Sequence, residues 1–196
     1  MQGLVFESTE SVTQEQFAEF IAERERAGDT GHYELLNGRV VMNPPAGYPH
    51  GQIGNRLQRV LGNYVAEHNL GEVFDSSQGF DLPSGDTVEP DHAFVSKERW
   101  SQAPPPELGK FLRVVPDLIV EVLSTRTASQ DRGEKKAVYE KNSVLEYWLV
   151  DPRARIVTVF QSKDGRFDSG RKFSESERCA SQVLSGLEFD VSEILV

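Results

Sequence analysis

The sequence predicts a mixed α/β domain with a central mixed β-sheet flanked by α-helices. Three observations predict it. Val114 to Ser124, "VVPDLIVEVLS", is apolar at nearly every position, as a strand covered on both faces requires. The segment "PHGQIGNRLQRVLGNYVAEHNLG" sets Ile53, Leu57, Val60, Leu61, Tyr64 and Val65 along one helical stripe that stops at Gly71. Asn37-Gly38, between the apolar stretches of "HYELLNGRVVMNPP", is a strong short-range hairpin signal.

The remaining elements follow in chain order. "TQEQFAEFIAERERAG" carries Phe17, Phe20 and Ile21 at helical spacing and ends on glycine, so it forms a first helix. After the hairpin and the second helix come short strands in "GEVFDSSQGFDLP" and "TVEPDHAFVSKERW". The proline-rich "APPPELGKF" reads as a surface loop. Beyond the buried strand lie a helix around Gln130 to Asn142 and two apolar runs separated by Asp151-Pro152, as in a hairpin. The last residues read as polar turns, one or two short strands and a brief terminal helix, and no repeats appear.

A chain of 196 residues with 38% hydrophobic and 27% charged residues is expected to be one globular domain, residues 1–196. No apolar run approaches the roughly 18–20 residues of a membrane span, and "MQGLVFESTESVT" lacks the basic start of a signal peptide, so a cytoplasmic location is expected. The single cysteine, Cys179, excludes an intramolecular disulfide and a cysteine-rich zinc site. A net charge of −10 argues against a broad basic coat for nucleic acid. It is compatible with carboxylates gathered around a divalent cation beside a local basic patch. One such patch is "RTASQDRGEKKAVYEK", with Arg126, Arg132, Lys135, Lys136 and Lys141.

Glu121 is the anomaly of the buried strand. An ionised carboxylate there needs a cation, a metal or a dense set of donors beside it. Asp117 lies four positions away, about 13 Å along a strand, too far to share one ion. Asp91 in "VEPDHAFV" enters another short strand directly after Pro90, at a sheet end where ligands tend to bind. Asp91, Glu121 and a backbone carbonyl such as that of Val122 form the oxygen-only ligand set preferred by Mg²⁺ or Mn²⁺. The alternative is that both acids are paired with Arg or Lys for folding alone. His92, next to Asp91, points to the opposite face of the strand and is a poor co-ligand.

On the following helix, Lys135 shares a face with Val138, Tyr139 and Asn142, whereas Lys136 lies with Arg132 and Glu140. Lys135 therefore points coreward, where its ammonium would reach Glu121; otherwise it extends to solvent and Lys136 pairs with Glu140. His50, at the start of the second helix, is suited to proton transfer near neutral pH or to a packing or capping role. Glu34 borders the same region or pairs with Arg39. The chain has no GxxxxGK[ST], GxGxxG, HExxH or GxSxG motif.

"YELLNGRVV", "HGQIGNRLQRVL", "VEPDHAFV", "PDLIVEVLS" and "DRGEKKAVYEKNSVLEYWLVDP", in this order from about Tyr33 to Pro152, resemble the Uma family of restriction-endonuclease-like proteins. This is a branch of the PD-(D/E)XK phosphodiesterase superfamily common in bacteria. The resemblance implies a restriction-endonuclease-like fold and Mg²⁺-dependent cleavage of phosphodiester bonds in DNA. It aligns Asp91 and Glu121 with the family's two metal-binding acids, and Glu34 and His50 with positions bordering the site. The superfamily's lysine normally lies two residues after the glutamate. That position is Leu123 here, and Lys135 takes the lysine's place from the next helix. Arg126 and Arg132 would hold backbone phosphates, and cutting a duplex would favour a homodimer. A catalytically inactive interaction or regulatory domain of the same fold is the alternative; a sugar-binding β-sandwich conflicts with two strong internal helices.

Overall fold

The computed structural model describes residues 6–7 and 10–196. Strands β1 (Phe6–Glu7), β2 (His32–Leu36), β3 (Arg39–Asn43), β5 (Phe80–Asp81) and β6 (Thr87–Val88) make a five-stranded sheet in the order β1-β3-β2-β6-β5. Strands β4 (Gly71–Asp75), β7 (His92–Ser96), β8 (Leu118–Val122), β9 (Glu146–Asp151), β10 (Ile156–Lys163), β11 (Arg166–Phe167) and β12 (Arg171–Ser174) make the larger one. Its order is β11-β10-β9-β8-β7-β4, with β12 also paired to β10. Only β8 and β9 run parallel; every other pair in this sheet is antiparallel. Strands β13 (Arg178–Ala180) and β14 (Glu188–Asp190) pair separately and lead into the short helix Val191–Ile194. The central sheet is therefore mixed and flanked by helices, as expected from the sequence.

Local chemistry accounts for the elements. Helix α1 (Gln14–Arg26) starts on a capping box, in which the Thr13 hydroxyl accepts from the Gln16 N–H and the Gln16 side chain accepts from the Thr13 N–H. Asn37 and Gly38 form the two-residue hairpin loop with φ of 51° and 77°, the left-handed pair demanded by a type I′ turn. Helix α2 (His50–His68) buries Ile53, Leu57, Leu61 and Val65 and ends at Asn69 in the left-handed conformation. A short helix α3 (Lys97–Gln102) was not expected; the Ser96 hydroxyl caps it by accepting from the Arg99 N–H.

Strand β8 is buried along its whole length. Leu118, Val120 and Val122 pack with Ile53, Leu57 and Leu61 of α2, while Ile119 and Leu123 pack with Val138, Tyr139 and Tyr147 on the other face. The parallel connection from β8 to β9 is one composite helix: Ala128–Gln130, a π-helical turn Asp131–Lys135, then Lys136–Lys141. By the two-residue alternation of a strand, Glu121 falls on the face covered by this helix.

Candidate active site

Strand register brings the two acids together. His92 pairs with Val120 in the antiparallel β7 and β8, so Asp91, one residue outside β7, stands across from Glu121 on the face shared with Ala93 and Val95. The Asp91 Oδ2 accepts from the Val122 N–H at 2.7 Å and lies 3.0 Å from His50 Nε2. An extended residue directs its N–H and C=O to the same neighbour, so the Val122 carbonyl also points to the Asp91 side. His92 turns to the other face, where its Nδ1 lies 3.1 Å from Gln58 Oε1 of α2.

The composite helix supplies the cation. Lys135 is buried, with Nζ 2.5 Å from Glu121 Oε1, 3.0 Å from Glu34 Oε1 and 4.0 Å from Asp131 Oδ1. One turn later Tyr139 donates its hydroxyl to Glu121 Oε1 at 2.6 Å. Glu34 also accepts from the Asn43 side chain and the Glu89 N–H. The alternative pairings lose on geometry. Arg39 bonds Glu134 at 2.7 Å instead of Glu34, and Lys136 lies 3.8 Å over the Phe160 ring while Glu140 accepts from the Phe167 N–H. Asp117 belongs to the scaffold: it accepts from the Ser96 N–H and holds Arg99 at 3.1 Å.

Burial and pairing set the charges. Burial pushes Glu121 well above the usual carboxylate range, against the pull of Lys135. Burial likewise raises Asp131, to about 6. Lys135 is disfavoured as a cation by burial, yet Glu121, Glu34 and Asp131 together hold it protonated. Burial also opposes both charges of the His50–Asp91 pair, but their mutual hydrogen bond and attraction raise the histidine and lower the aspartate. Glu34, Asp91, Glu121 and Asp131 thus crowd around one lysine, with His50 at the edge. Among the described residues, no three His, Cys, Asp or Glu side chains form a ready-made metal cage.

Asp91, Glu121, Asp131 and Lys135 line a cleft of about 370 Å³, walled by His32, Asn43, Pro44, Pro45, His50, Glu89, Ser124 and Thr127. A cavity of about 500 Å³ lies apart from it, beside Leu82, Arg99, Val115 and Asn142. Its Arg99 is spent on Asp117 and on the carbonyls of Val115, Pro116 and Ser143.

The family model "Uma2: Putative restriction endonuclease" matches residues 15–192. The chain belongs to the Uma2 family. The match is wider than the Tyr33 to Pro152 blocks, since it takes in α1 and the C-terminal strands. The fold agrees with a crystal structure described as a putative nuclease belonging to DUF820 from Anabaena variabilis, at 17% identity and a TM-score of 0.74, over 93% of this chain and 97% of that one. No curated protein matches the chain at a significant level.

Within this Uma2 chain, Leu123 lies on the same strand face as Glu121 and packs into the core. The ammonium beside Glu121 comes from the composite helix at Lys135. The expected basic patch is not assembled around Arg126 and Arg132: Lys135 is buried in the cleft, Lys136 covers Phe160, and Arg132 bonds Asp151 at 2.7 Å. Two features escaped the sequence reading. Asp131 is absent from the candidate residues, although its i,i+4 spacing to Lys135 places it on the same helical face. The pair of His32 and Glu89, 3.0 Å apart at the cleft wall, had no sequence signal because 57 residues separate them.

Proposed function

We propose that this protein is an Mg²⁺- or Mn²⁺-dependent endonuclease that hydrolyses phosphodiester bonds in DNA. The observation that carries the reading is charge. Asp91 and Glu121 lie side by side at the end of the sheet, and Glu34 and Asp131 add to them, against the one ammonium of Lys135. Buried carboxylates in such excess call for a further cation or for protons. The donor set of two carboxylates, the Val122 carbonyl and water suits a hard divalent ion, and Asp91, Glu121 and Val122 would hold it. Such an ion supplies Lewis acidity to a phosphate oxygen and lowers the pKa of water.

The chain's own groups do the rest. Lys135, kept protonated by its carboxylates, is a donor and not a base; it orients the attacking water and stabilises charge developing on the phosphate. Tyr139 and Lys135 fix the Glu121 rotamer, and His50 and the Val122 N–H fix Asp91. The DNA backbone enters over the wall formed by Pro44, Pro45 and His32. A two-fold homodimer would let two such clefts cut both strands, and the cytoplasm suits a DNA substrate. Among the described residues, no helix is long and apolar enough to cross a membrane.

One observation favours a second reading, an interaction or regulatory domain without activity. Glu121 Oε1 is already satisfied by Lys135 and Tyr139, as in a structural ion pair. A plasmid nicking assay with Mg²⁺ or Mn²⁺, run with calorimetric Mn²⁺ titration on wild type and Asp91→Ala, separates the two. The endonuclease reading expects binding and cleavage in the wild type, lost together in the variant. No heat and no cleavage in the wild type leaves the interaction domain.

A further inference from the structure

The cleft contains a second histidine–carboxylate pair that the mechanism above does not use. His32 and Glu34 are two residues apart on β2, so both side chains project from the same face of that strand. Glu34 reaches down to Lys135 on the cleft floor, and His32 stands nearer the mouth with about half of its side chain exposed. Glu89, two residues before Asp91, holds His32 Nδ1 at 3.0 Å through Oε2. The Glu89 N–H in turn donates to Glu34 Oε1, so the pair is built on the same scaffold as the buried acids. Holding Nδ1 leaves Nε2 as the ring nitrogen for a ligand in the cleft.

We infer that His32 is the proton donor to the leaving ester oxygen of the bound phosphodiester, with Glu89 as its positioning residue. The inference rests on the nuclease reading and adds a catalytic group to it. In-line displacement requires the attacking and leaving oxygens on opposite sides of phosphorus. Lys135 and the buried acids occupy the floor, so the leaving oxygen faces the mouth, on the side of His32. One P–O bond forms to the water oxygen and one breaks to the ester oxygen. The water's proton passes to solvent, and the Nε2 proton passes to the departing oxygen, which leaves as an alcohol. His32 is then reprotonated from solvent.

The surroundings favour the protonated ring. The hydrogen bond from Glu89 raises His32 above its ordinary value, burial opposes this, and the charges of Glu89, Glu34 and Asp91 add to the rise. Among the described residues, the other ionisable groups lining the cleft are His50 across from it and Glu121, Asp131 and Lys135 on the floor; Asn43, Pro44, Pro45 and Ala46 on the adjoining wall are uncharged. His50 is not equivalent, because its Nε2 is already committed to Asp91.

The test uses oligonucleotides in which either ester oxygen of the scissile linkage is replaced by bridging sulfur. A thiolate leaves without a proton. His32→Gln is expected to lose about 100-fold or more in cleavage of the all-oxygen substrate. It should retain activity within a few-fold of wild type on the sulfur substrate whose P–S bond is cut. Its rate on the oxygen substrate should also lose the fall on the alkaline side that the wild type shows. Glu89→Gln should lower the His32 pKa read by NMR titration of the ring protons and move that alkaline limb to lower pH. Calorimetry with Mn²⁺ on both variants checks that the cleft is intact, since neither change removes a proposed metal ligand. Equal slowing of His32→Gln on both substrates, or no slowing on either, overturns the inference while leaving the nuclease reading in place. A wild type that cuts neither substrate overturns the nuclease reading and the inference with it.

Discussion

Lys135 Nζ sits 2.5 Å from Glu121 Oε1, with both side chains about 95% withdrawn from solvent. The pair joins the most buried strand of the sheet to the π-helical turn of the helix that covers it. The strand's alternation aims Glu121 at that helix, and the helix's periodicity aims Lys135 back. Neither charge is tolerable without the other, which makes the ion pair the structural keystone of the cleft.

Removing the cation exposes this dependence. Lys135→Met leaves Glu121 and Glu34 buried without their partner, and the unfolding free energy from urea titration at pH 8 should fall by about 3–5 kcal/mol. The loss should shrink at pH 5, where Glu121, whose carboxyl burial pushes up, takes up a proton. A loss that does not depend on pH would show that packing, and not charge, holds the site.

Asp131 works in the opposite direction. Its folded pKa of about 6 lies above the ordinary 3.8, so the folded state binds its proton more tightly than the unfolded chain. Stability contributed by that proton is present below about pH 4 and is lost as pH rises through about 6. Asp131→Asn should therefore be more stable than wild type at pH 7.5, by about 1–3 kcal/mol, and close to it at pH 4. Paired thermal melts at the two pH values check this.

Tyr139→Phe removes one buried hydroxyl and its hydrogen bond to Glu121. A hydrogen bond to a charged group contributes about 1.5–3 kcal/mol, and the variant should lose that much stability in denaturant titrations at neutral pH. A neutral effect would mean that Glu121 carries a proton that satisfies it without Tyr139.

His50 touches Asp91 and not the proposed ion, so its effect should be graded. His50→Gln should weaken Mn²⁺ binding by about 10–100-fold, whereas Asp91→Asn should abolish it, both read by calorimetry. Equal and complete loss in both variants would assign His50 to direct ligation.

Much of this geometry was legible in the sequence because periodicity carries direction. Glu121 broke an apolar strand, Lys135 shared a face with Val138 and Tyr139, and Asn37-Gly38 announced the hairpin that brings Glu34 and Asn43 to the cleft. What was missed had other causes. The short α3 follows a strand with only six residues of its own, too few for a periodic signal. The basic patch looked continuous along the chain, but burial of Lys135 and the Arg132–Asp151 bond dispersed it in space. The His32–Glu89 contact joins two segments by tertiary packing alone, which no local pattern records.

In the proposed site, Asp91 and Glu121 share a divalent ion above Lys135. An anomalous difference map from crystals soaked in Mn²⁺ tests it most directly. One peak is expected between the two carboxylates, within coordination distance of both and of the Val122 carbonyl. Fully soaked crystals with no peak there, and Glu121 still held by Lys135 and Tyr139, would contradict it.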